Sequence, residues 1–388
     1  MGTQAPEREG VRALGALAAL SLAVFAYVTT ENLPVGLLPQ LARGLHHSRS
    51  VTGYLVTGYA AVVVIASVPL ALATRRYSRR RLLIAALSVF VVGSALGAAA
   101  PNYGVLLATR MAIALSHAVF WAVVAAAGAA LVSPERRGRA LGLVFSGASL
   151  ASVIGVPVIT WVGQQTSWRV STLLASALGV VSLIAVWALL PEGSSQDERD
   201  AGAPHPSAPR FAVIECTLGF AIIGAFALLT YVTVFVTTLG GIPNRAISAV
   251  LLGSGAAGVA GVYTASRFVT GRPRATMFGG VTGLAFTLLA LAALAHSGVA
   301  DVALVCLFGY SLSILAIGVQ SRVLDVAPGN LNVASAINSA TFNVGIGGGA
   351  LLGGLLLQGP GVRSIALIGG IVATVGVLLL AAETRLVE

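Results

Sequence analysis

Twelve apolar runs separated by short polar gaps dominate this sequence and restrict what the chain can fold into. A helix that crosses a bilayer needs about 20 mostly apolar residues. Only 9% of the 388 residues are charged, whereas soluble domains carry about 25% to cover their surface. The runs therefore predict an all-α membrane protein with twelve transmembrane helices, at 13–38, 51–73, 82–100, 103–132, 138–163, 168–190, 211–239, 246–267, 275–296, 299–321, 332–357 and 362–381.

The arginines predict the orientation of these spans. All 23 basic residues are arginine, and twelve spans place both termini on one side of the membrane. The gaps on that side hold 17 arginines and the opposite gaps hold 5, and the arginine-rich side is normally cytoplasmic. We therefore expect a multi-pass protein of the bacterial inner membrane with cytoplasmic termini at 1–12 and 382–388. The arginines form no single basic face, so nucleic acid is not an expected partner.

A polar stretch divides the twelve runs into two sets of six. It lies between the sixth and seventh runs, is the longest hydrophilic segment of the chain, and predicts a cytoplasmic linker at 191–210 between bundles at 13–190 and 211–381. One offset of 192 residues relates Gly155 to Gly347 and Arg75 to Arg267. This weak symmetry predicts two pseudo-symmetric six-helix bundles, an architecture in which transporters place the substrate site at the interface of the repeats.

Few ionisable residues lie inside the runs, and each costs about 2.5–3.5 kcal/mol or more in a bilayer. Arg110, Ala114, His117 and Trp121 in the fourth run share one helical face because they are spaced by four, three and four residues. This stripe predicts the lining of a water-filled cavity. The alternative is that Arg110 extends to the membrane surface and His117 is an ordinary core residue.

The acid in the first run is Glu31, which shares a helical face with Tyr27. A low dielectric favours the protonated form of a carboxylate, and a nearby guanidinium favours the ionised form. An acid that approaches Arg110 in one state and leaves it in another could therefore carry a proton, although contact between the two spans is a hypothesis. The alternative is that Glu31 caps a helix break. Glu215 is expected in the first turn of its helix, where negative charge is favourable.

Glycine, proline and asparagine mark further candidates in the later runs. The fifth run carries a predicted bend or seal, and the eleventh carries asparagines expected to line the cavity together with Tyr27 and Trp121. The arginines after the second run serve either as topology charge or as a cytoplasmic gate. These candidates are Gly147, Gly155, Pro157 and Gly163 for the hinge, Asn338 and Asn343 for the cavity, and Arg75, Arg76 and Arg80 for the gate.

Four segments carry a family resemblance, namely "TTENLPVGLLPQLA" in the first run, "ATRMAIALSHAVFW" in the fourth, "SGASLASVIGVPVITWVG" in the fifth and "INSATFNVGIGGG" in the eleventh. Together they resemble the twelve-span drug:proton antiporters of the major facilitator superfamily, in the branch of arabinose-efflux-like permeases and chloramphenicol-resistance exporters. The chain departs from the family in the loop after the second run, which keeps its arginines but lacks the usual glycine and aspartate.

The resemblance implies proton-coupled efflux of a drug or metabolite by a monomeric transporter, with small-molecule substrate, protons and lipid as partners and no cofactor or metal. Glu31, Arg110 and His117 would couple protons or bind substrate. The alternatives on the same fold are efflux of sugars or nucleosides and uptake by symport. An enzyme is not expected, because the chain lacks the common hydrolase, zinc and phosphate-binding motifs.

Overall fold

The computed structural model describes residues 4–74, 77–133, 137–192, 205–269, 271–294, 298–329 and 331–383. Fifteen α-helices lie in these ranges, and the described residues contain no β-strand. The helices are α1 (Gln4–Glu31), α2 (Leu33–Gly44), α3 (Arg49–Thr74), α4 (Arg79–Ala98), α5 (Tyr103–Ala129), α6 (Arg137–Leu150), α7 (Val156–Gln165), α8 (Trp168–Leu189), α9 (Ala208–Thr230), α10 (Val232–Thr238), α11 (Ile247–Phe268), α12 (Pro273–Leu294), α13 (Gly298–Val326), α14 (Leu331–Gln358) and α15 (Val362–Ala381).

Twelve helical segments of the described chain are long and apolar enough to cross a membrane. They coincide with the twelve apolar runs, so the predicted number of spans and the all-α class are confirmed. Large apolar side chains on these helices, such as Ile65, Trp187 and Phe286, are more than half exposed. Such exposure is expected where lipid instead of water covers the surface.

Three of the apolar runs are interrupted helices, and the sequence explains each break. The first run divides at Asn32, just before Pro34, and the fifth contains a π-helical turn at Ala151–Gly155 just before Pro157. Proline supplies no N–H to the preceding turn, so it weakens the helix there. The seventh run divides at Tyr231, within a segment rich in β-branched residues that have lower helix propensity.

The contacts between residues divide the chain into two compact units. Unit 1 comprises Met1–Leu33 and Ile65–Asp197, and unit 2 comprises Pro34–Val64 and Glu198–Glu388. The largest fully buried side chains of unit 1 include Tyr27, Phe90 and Phe120, and those of unit 2 include Tyr231 and Phe235. The bundles at 13–190 and 211–381 were predicted from a sequence repeat, whereas the units are defined by contacts, so the bundles stay a prediction. The central part of the predicted linker lies outside the described residues.

Within unit 2, glycines of α14 allow it to approach α9 closely. Gly345, Gly349 and Gly353 recur every four residues and therefore form one stripe of the helix. A Cβ atom on Gly349 would lie 2.5 Å from the carbonyl oxygen of Ile223, and one on Gly353 would lie 2.5 Å from that of Ala227. Small residues let membrane helices pack this tightly, so the glycine content of the eleventh run serves helix contact.

Tyr231 joins residues of three helices inside unit 2. Its side chain is fully buried, and its hydroxyl group lies 3.3 Å from the carbonyl oxygen of Ser50 and 3.2 Å from that of Ala350. Gly53 makes room for the phenol, because a Cβ atom there would lie 2.0 Å from the Tyr231 hydroxyl oxygen. The break between α9 and α10 thus places one hydroxyl group in contact with both α3 and α14.

A charged cluster links the ends of α12, α13 and α15 in unit 2. Glu383 is 3% exposed and pairs with Arg274 at 2.9 Å and with buried Arg322. Next to it, Asp325 pairs with His205 at 2.8 Å, and the backbone N–H of His205 donates to the carbonyl oxygen of Asp325. The residues that precede α9 are therefore attached to the end of α13.

Candidate functional site

Arg110 on α5 binds the helix break at the end of α1. Pro34 has no N–H, so the carbonyl oxygen of Thr30 lacks its usual partner four residues later. The Nη1 atom of Arg110 donates to that oxygen at 3.3 Å, and Nη2 donates to the carbonyl oxygen of Glu31 at 3.2 Å. Asn32 donates its side-chain amide to the carbonyl oxygen of Val28 at 2.9 Å. A fixed positive charge therefore lies at the break.

Glu31 and His117 lie beside this charge in unit 1. The carboxylate of Glu31 interacts electrostatically with Arg110, and its Oε2 atom is 3.9 Å from Nδ1 of His117. That distance is too long for a direct hydrogen bond. The side chains are mostly buried, with 18% of Glu31 and 7% of His117 exposed. The structure thus brings together the acid, the guanidinium and the imidazole that the sequence singles out; their roles stay predictions.

The stripe on α5 lies on a largely buried face of that helix. Ala114 is fully buried between Arg110 and His117, which are both buried as whole residues. The ring of Trp121 is half-buried and stacks on Phe145 of α6 with centroids 5.8 Å apart and planes at 9°. Arg110 therefore does not extend to a membrane surface, because both of its η nitrogens bind the α1 break.

Tyr27 lies in the core of unit 1, and its role in lining a cavity stays a prediction. It has no exposed surface, and its ring packs against Phe90 and Phe120 with centroid distances of 4.7 and 4.4 Å. Its hydroxyl group donates to the carbonyl oxygen of Ala86 and lies 3.0 Å from Oγ of Ser116. Tyr27 and Glu31 do share one face of α1, as their spacing predicts. That face contacts the core at Tyr27 and a polar site one helical turn later at Glu31.

The fifth run packs against α1 through the predicted hinge glycines. A Cβ atom on Gly147 would lie 2.0 Å from the carbonyl oxygen of Ser21, and one on Gly155 would lie 2.1 Å from Oγ1 of Thr29. Gly155 ends the π-helical turn, in which the N–H of Val156 donates to the carbonyl oxygen of Ala151. Such turns are frequent at functional sites.

Pro157 follows the π-helical turn and Gly163 is buried further along α7. The proline explains why the backbone leaves regular α-helical bonding here, since it offers no N–H. Thr29 is two residues before Glu31, so the contact with Gly155 connects the fifth run to the acid's own helical turn. Movement of this segment stays a prediction.

The two asparagines of α14 have different surroundings in unit 2. Asn338 borders a cavity of about 180 Å³ and donates to Oε1 of Glu215 at 3.1 Å. Asn343 is 6% exposed, and its amide nitrogen donates to the carbonyl oxygen of Ser339 on its own helix. Asn343 does not border that cavity.

The environment of Glu215 differs from the sequence-based expectation. α9 begins at Ala208, three residues earlier than the apolar run, so Glu215 is the eighth residue of the helix and not part of its first turn. It is 7% exposed. One sequence signal could have indicated that Glu215 is buried. Ile222 follows it by seven residues, which places both on the same side of the helix.

The predicted cytoplasmic gate is only partly within the described residues. Arg75 and Arg76 lie outside them. Arg80 donates to Oε1 of Glu192 at 2.9 Å and to the carbonyl oxygen of Trp187 at 2.6 Å, so in this conformation it ties α4 to the end of α8 inside unit 1. Glu192 is 85% exposed, and exposed pairs of this kind contribute about 0–1 kcal/mol.

The sequence matches a known protein family and is similar to individual named transporters. The family model described as Major Facilitator Superfamily matches residues 20–330. A protein of Mannheimia succiniciproducens named "probable sugar efflux transporter" is 34% identical over 361 residues, which cover 92% of this chain and 91% of that protein. A chloramphenicol efflux pump of Mycobacterium tuberculosis is 32% identical over 362 residues, covering 90% of this chain and 87% of the pump.

Among solved structures, the human organic anion transporter MFSD10 (TETRAN) is similar over 97% of this chain and 100% of its own, with a TM-score of 0.70. The two sequences are only 14% identical. This likeness therefore concerns the fold alone.

Proposed function

The chain belongs to the major facilitator superfamily, and on that premise we propose that it exports a small organic molecule in exchange for protons by alternating access. One observation carries the proposal: a mostly buried acid, Glu31, lies beside a fixed guanidinium at a broken transmembrane helix. Relatives named for sugar efflux and for chloramphenicol efflux support export as the direction. The expected site is the bacterial inner membrane, with cytoplasmic termini and a monomeric chain.

In the proposed cycle Glu31 carries the proton. While it is ionised, the Arg110 charge compensates its carboxylate, because opposite charges attract strongly in a low dielectric. A proton neutralises the acid and weakens that attraction, so the helix break is held to α5 by the two backbone hydrogen bonds alone. His117 is close enough to exchange a proton with Glu31 through one bridging polar group.

The fifth run would transmit this change. Gly155 touches Thr29 in the turn that precedes Glu31, and the π-helical turn beside it offers an alternative hydrogen-bond register. A shift between π-helical and α-helical bonding would move α7 relative to α6. We propose that protonation and this shift favour each other, which is the two-state coupling that alternating access requires.

Everted membrane vesicles test the assignment of Glu31. Wild-type protein should accumulate a transported compound, with chloramphenicol and arabinose as first probes, only when a proton gradient is imposed. Glu31→Gln should abolish the response to the gradient while still allowing exchange of labelled for unlabelled compound, because exchange needs no net proton movement. Glu192→Gln makes the same chemical change at an exposed position and should transport normally.

A Glu31→Gln protein that kept both its rate and its dependence on the proton gradient would refute the coupling role. Accumulation in right-side-out cells driven by the same gradient would instead indicate uptake by symport. Arabinose without chloramphenicol as the transported probe would identify a sugar exporter, a reading that the relatives named for sugar efflux favour.

A further inference from the structure

Glu215 is a second buried acid, and it belongs to unit 2, whereas Glu31, Arg110 and His117 belong to unit 1. Asn338 donates to its Oε1 atom, and the side chain of Thr341, almost one turn further along α14, also contacts the carboxyl group. Oε2 is buried and accepts no hydrogen bond of normal geometry within the described residues. A buried acceptor without a donor is unfavourable, so Oε2 is available to a donor supplied by a ligand.

A cavity borders Asn338, the residue that donates to Glu215. Its volume of about 180 Å³ corresponds to roughly six water molecules, whereas whole small-molecule sites occupy about 300–1,000 Å³. It can therefore hold part of a ligand. Leu218 and Ile222, which follow Glu215 along one side of α9, form part of its wall together with Leu315, Gln320, Asn338 and Phe342.

The walls of the cavity differ in chemistry. Gln320 and Asn338 contribute amide groups, which both donate and accept hydrogen bonds. Among the described residues, the remaining lining is aliphatic apart from Phe342, whose ring packs edge-to-face on Phe226 with centroids 6.2 Å apart. One side thus suits polar hydroxyl groups and the other suits a carbon skeleton.

We propose that Glu215, Asn338 and this cavity form a subsite for a neutral, hydroxyl-bearing part of the transported molecule. A hydroxyl group can donate to Oε2 of Glu215 and accept from an amide of the wall at the same time. A cationic amine can only donate, so it would leave the amide donors unused. The subsite distinguishes substrates by their hydroxyl groups.

The inference rests on the proposed function, because it assigns the subsite to the exported molecule. The relatives support it independently of the geometry: they are named for sugar and for chloramphenicol, which are both neutral molecules with at least two hydroxyl groups. Neither name assigns a residue of this chain.

Equilibrium binding to the purified full-length protein in lipid nanodiscs tests the subsite without any proton gradient. The probes are arabinose, chloramphenicol and chloramphenicol diacetate, in which both hydroxyl groups are masked. The wild type should bind chloramphenicol roughly 10–100-fold more tightly than the diacetate, the effect of one hydrogen bond to a charged or strongly polar group. Glu215→Ala should remove this preference, and Glu215→Gln should keep part of it because the amide oxygen still accepts.

Cys216→Ala is the matched control, since Cys216 is the neighbouring residue on the exposed side of α9. It should keep the wild-type preference. Asn338→Ala provides a second route to the same result if Glu215→Ala does not fold, and the comparison of the two chloramphenicol compounds on wild-type protein needs no variant at all.

Three results would overturn the inference: a wild type that binds neither arabinose nor chloramphenicol, a wild type that binds the diacetate as tightly as chloramphenicol, or a Glu215→Ala protein that keeps the preference. Tight binding of tetraphenylphosphonium that Glu215→Gln abolishes would also overturn it, in favour of a cation site. Hydroxyl-dependent binding by a protein whose transport ignores the proton gradient would refute the coupling proposal and leave the subsite intact.

Discussion

Replacement of Gly147 by alanine tests the close contact between the fifth run and α1. The new Cβ atom would lie 2.0 Å from the carbonyl oxygen of Ser21, about 1.4 Å closer than the 3.4 Å of an ordinary contact. Because the opposing atoms belong to the backbone, no side chain can rotate away, and α6 itself must move. Overpacking of this kind costs about 1–3 kcal/mol, of which the better helix propensity of alanine recovers up to about 1 kcal/mol.

Gly142 supplies the matched control on the same helix. No atom of the described residues lies within 4 Å of a Cβ atom at Gly142, so Gly142→Ala should stabilise the protein by about 0.4–1 kcal/mol. Thermal unfolding of the two purified variants should therefore move in opposite directions, with Gly147→Ala below the wild type. Gly147→Ala should also lower the initial rate of export in vesicles, because the displaced α6 disturbs the π-helical turn and its contact with Thr29.

Equal melting temperatures and equal transport for the two variants would show that α6 and α1 do not approach as closely as the structure places them. A Gly147→Ala protein that melts early but transports at the wild-type rate would retain the packing argument and refute the role of this contact in transport.

Three further substitutions test other contacts. Arg110→Lys keeps the charge but cannot donate from two nitrogens to neighbouring carbonyl groups. Transport should therefore fall at least about tenfold, the effect of one charge-assisted hydrogen bond. Unchanged transport would contradict a role for the Arg110 hydrogen bonds to the α1 break. Tyr231→Phe removes one buried hydroxyl group and should cost about 1 kcal/mol in thermal unfolding, whereas an unchanged transition would indicate that the hydroxyl contact contributes nothing. Glu383→Gln leaves buried Arg322 with only the more distant carboxylate of Asp325, at 3.8 Å, and should cost about 3 kcal/mol. The double replacement of Glu383 and Arg322 by neutral residues should restore most of this loss.

Helical periodicity predicted which candidate residues share a helix face, but not what that face contacts. It placed Arg110, His117 and Trp121 on one face of α5, which the structure shows as a largely buried face. The same reasoning grouped Tyr27 with Glu31, yet Tyr27 is packed in the core. Periodicity reports which side chains share a face of a helix, but the neighbours of that face change at every turn.

The role of Glu215 depended on where its helix begins. An apolar run that starts at 211 places the acid in the first turn, but Ser207 caps a helix that begins at Ala208 and takes Glu215 to the eighth position. Helix ends are uncertain by a few residues in any reading of sequence. Three additional residues at the start of the helix were enough to change an expected first-turn charge into a buried group paired with Asn338.

The sequence by itself determined that lipid surrounds this fold and that the chain spans the bilayer twelve times. Twelve runs of about bilayer length with so few charges are compatible only with lipid. It also identified the few ionisable residues within the spans, which are costly in a bilayer unless they have a polar partner or face a cavity. Only the tertiary structure decided the partners: the Arg110 contact with the α1 break, the Gly147 contact with Ser21 and the Glu215 contact with Asn338 each join helices far apart in the chain. Local propensity and hydropathy act within one helix, whereas these contacts depend on how helices rotate and approach each other, which is set by the packing of all of them together.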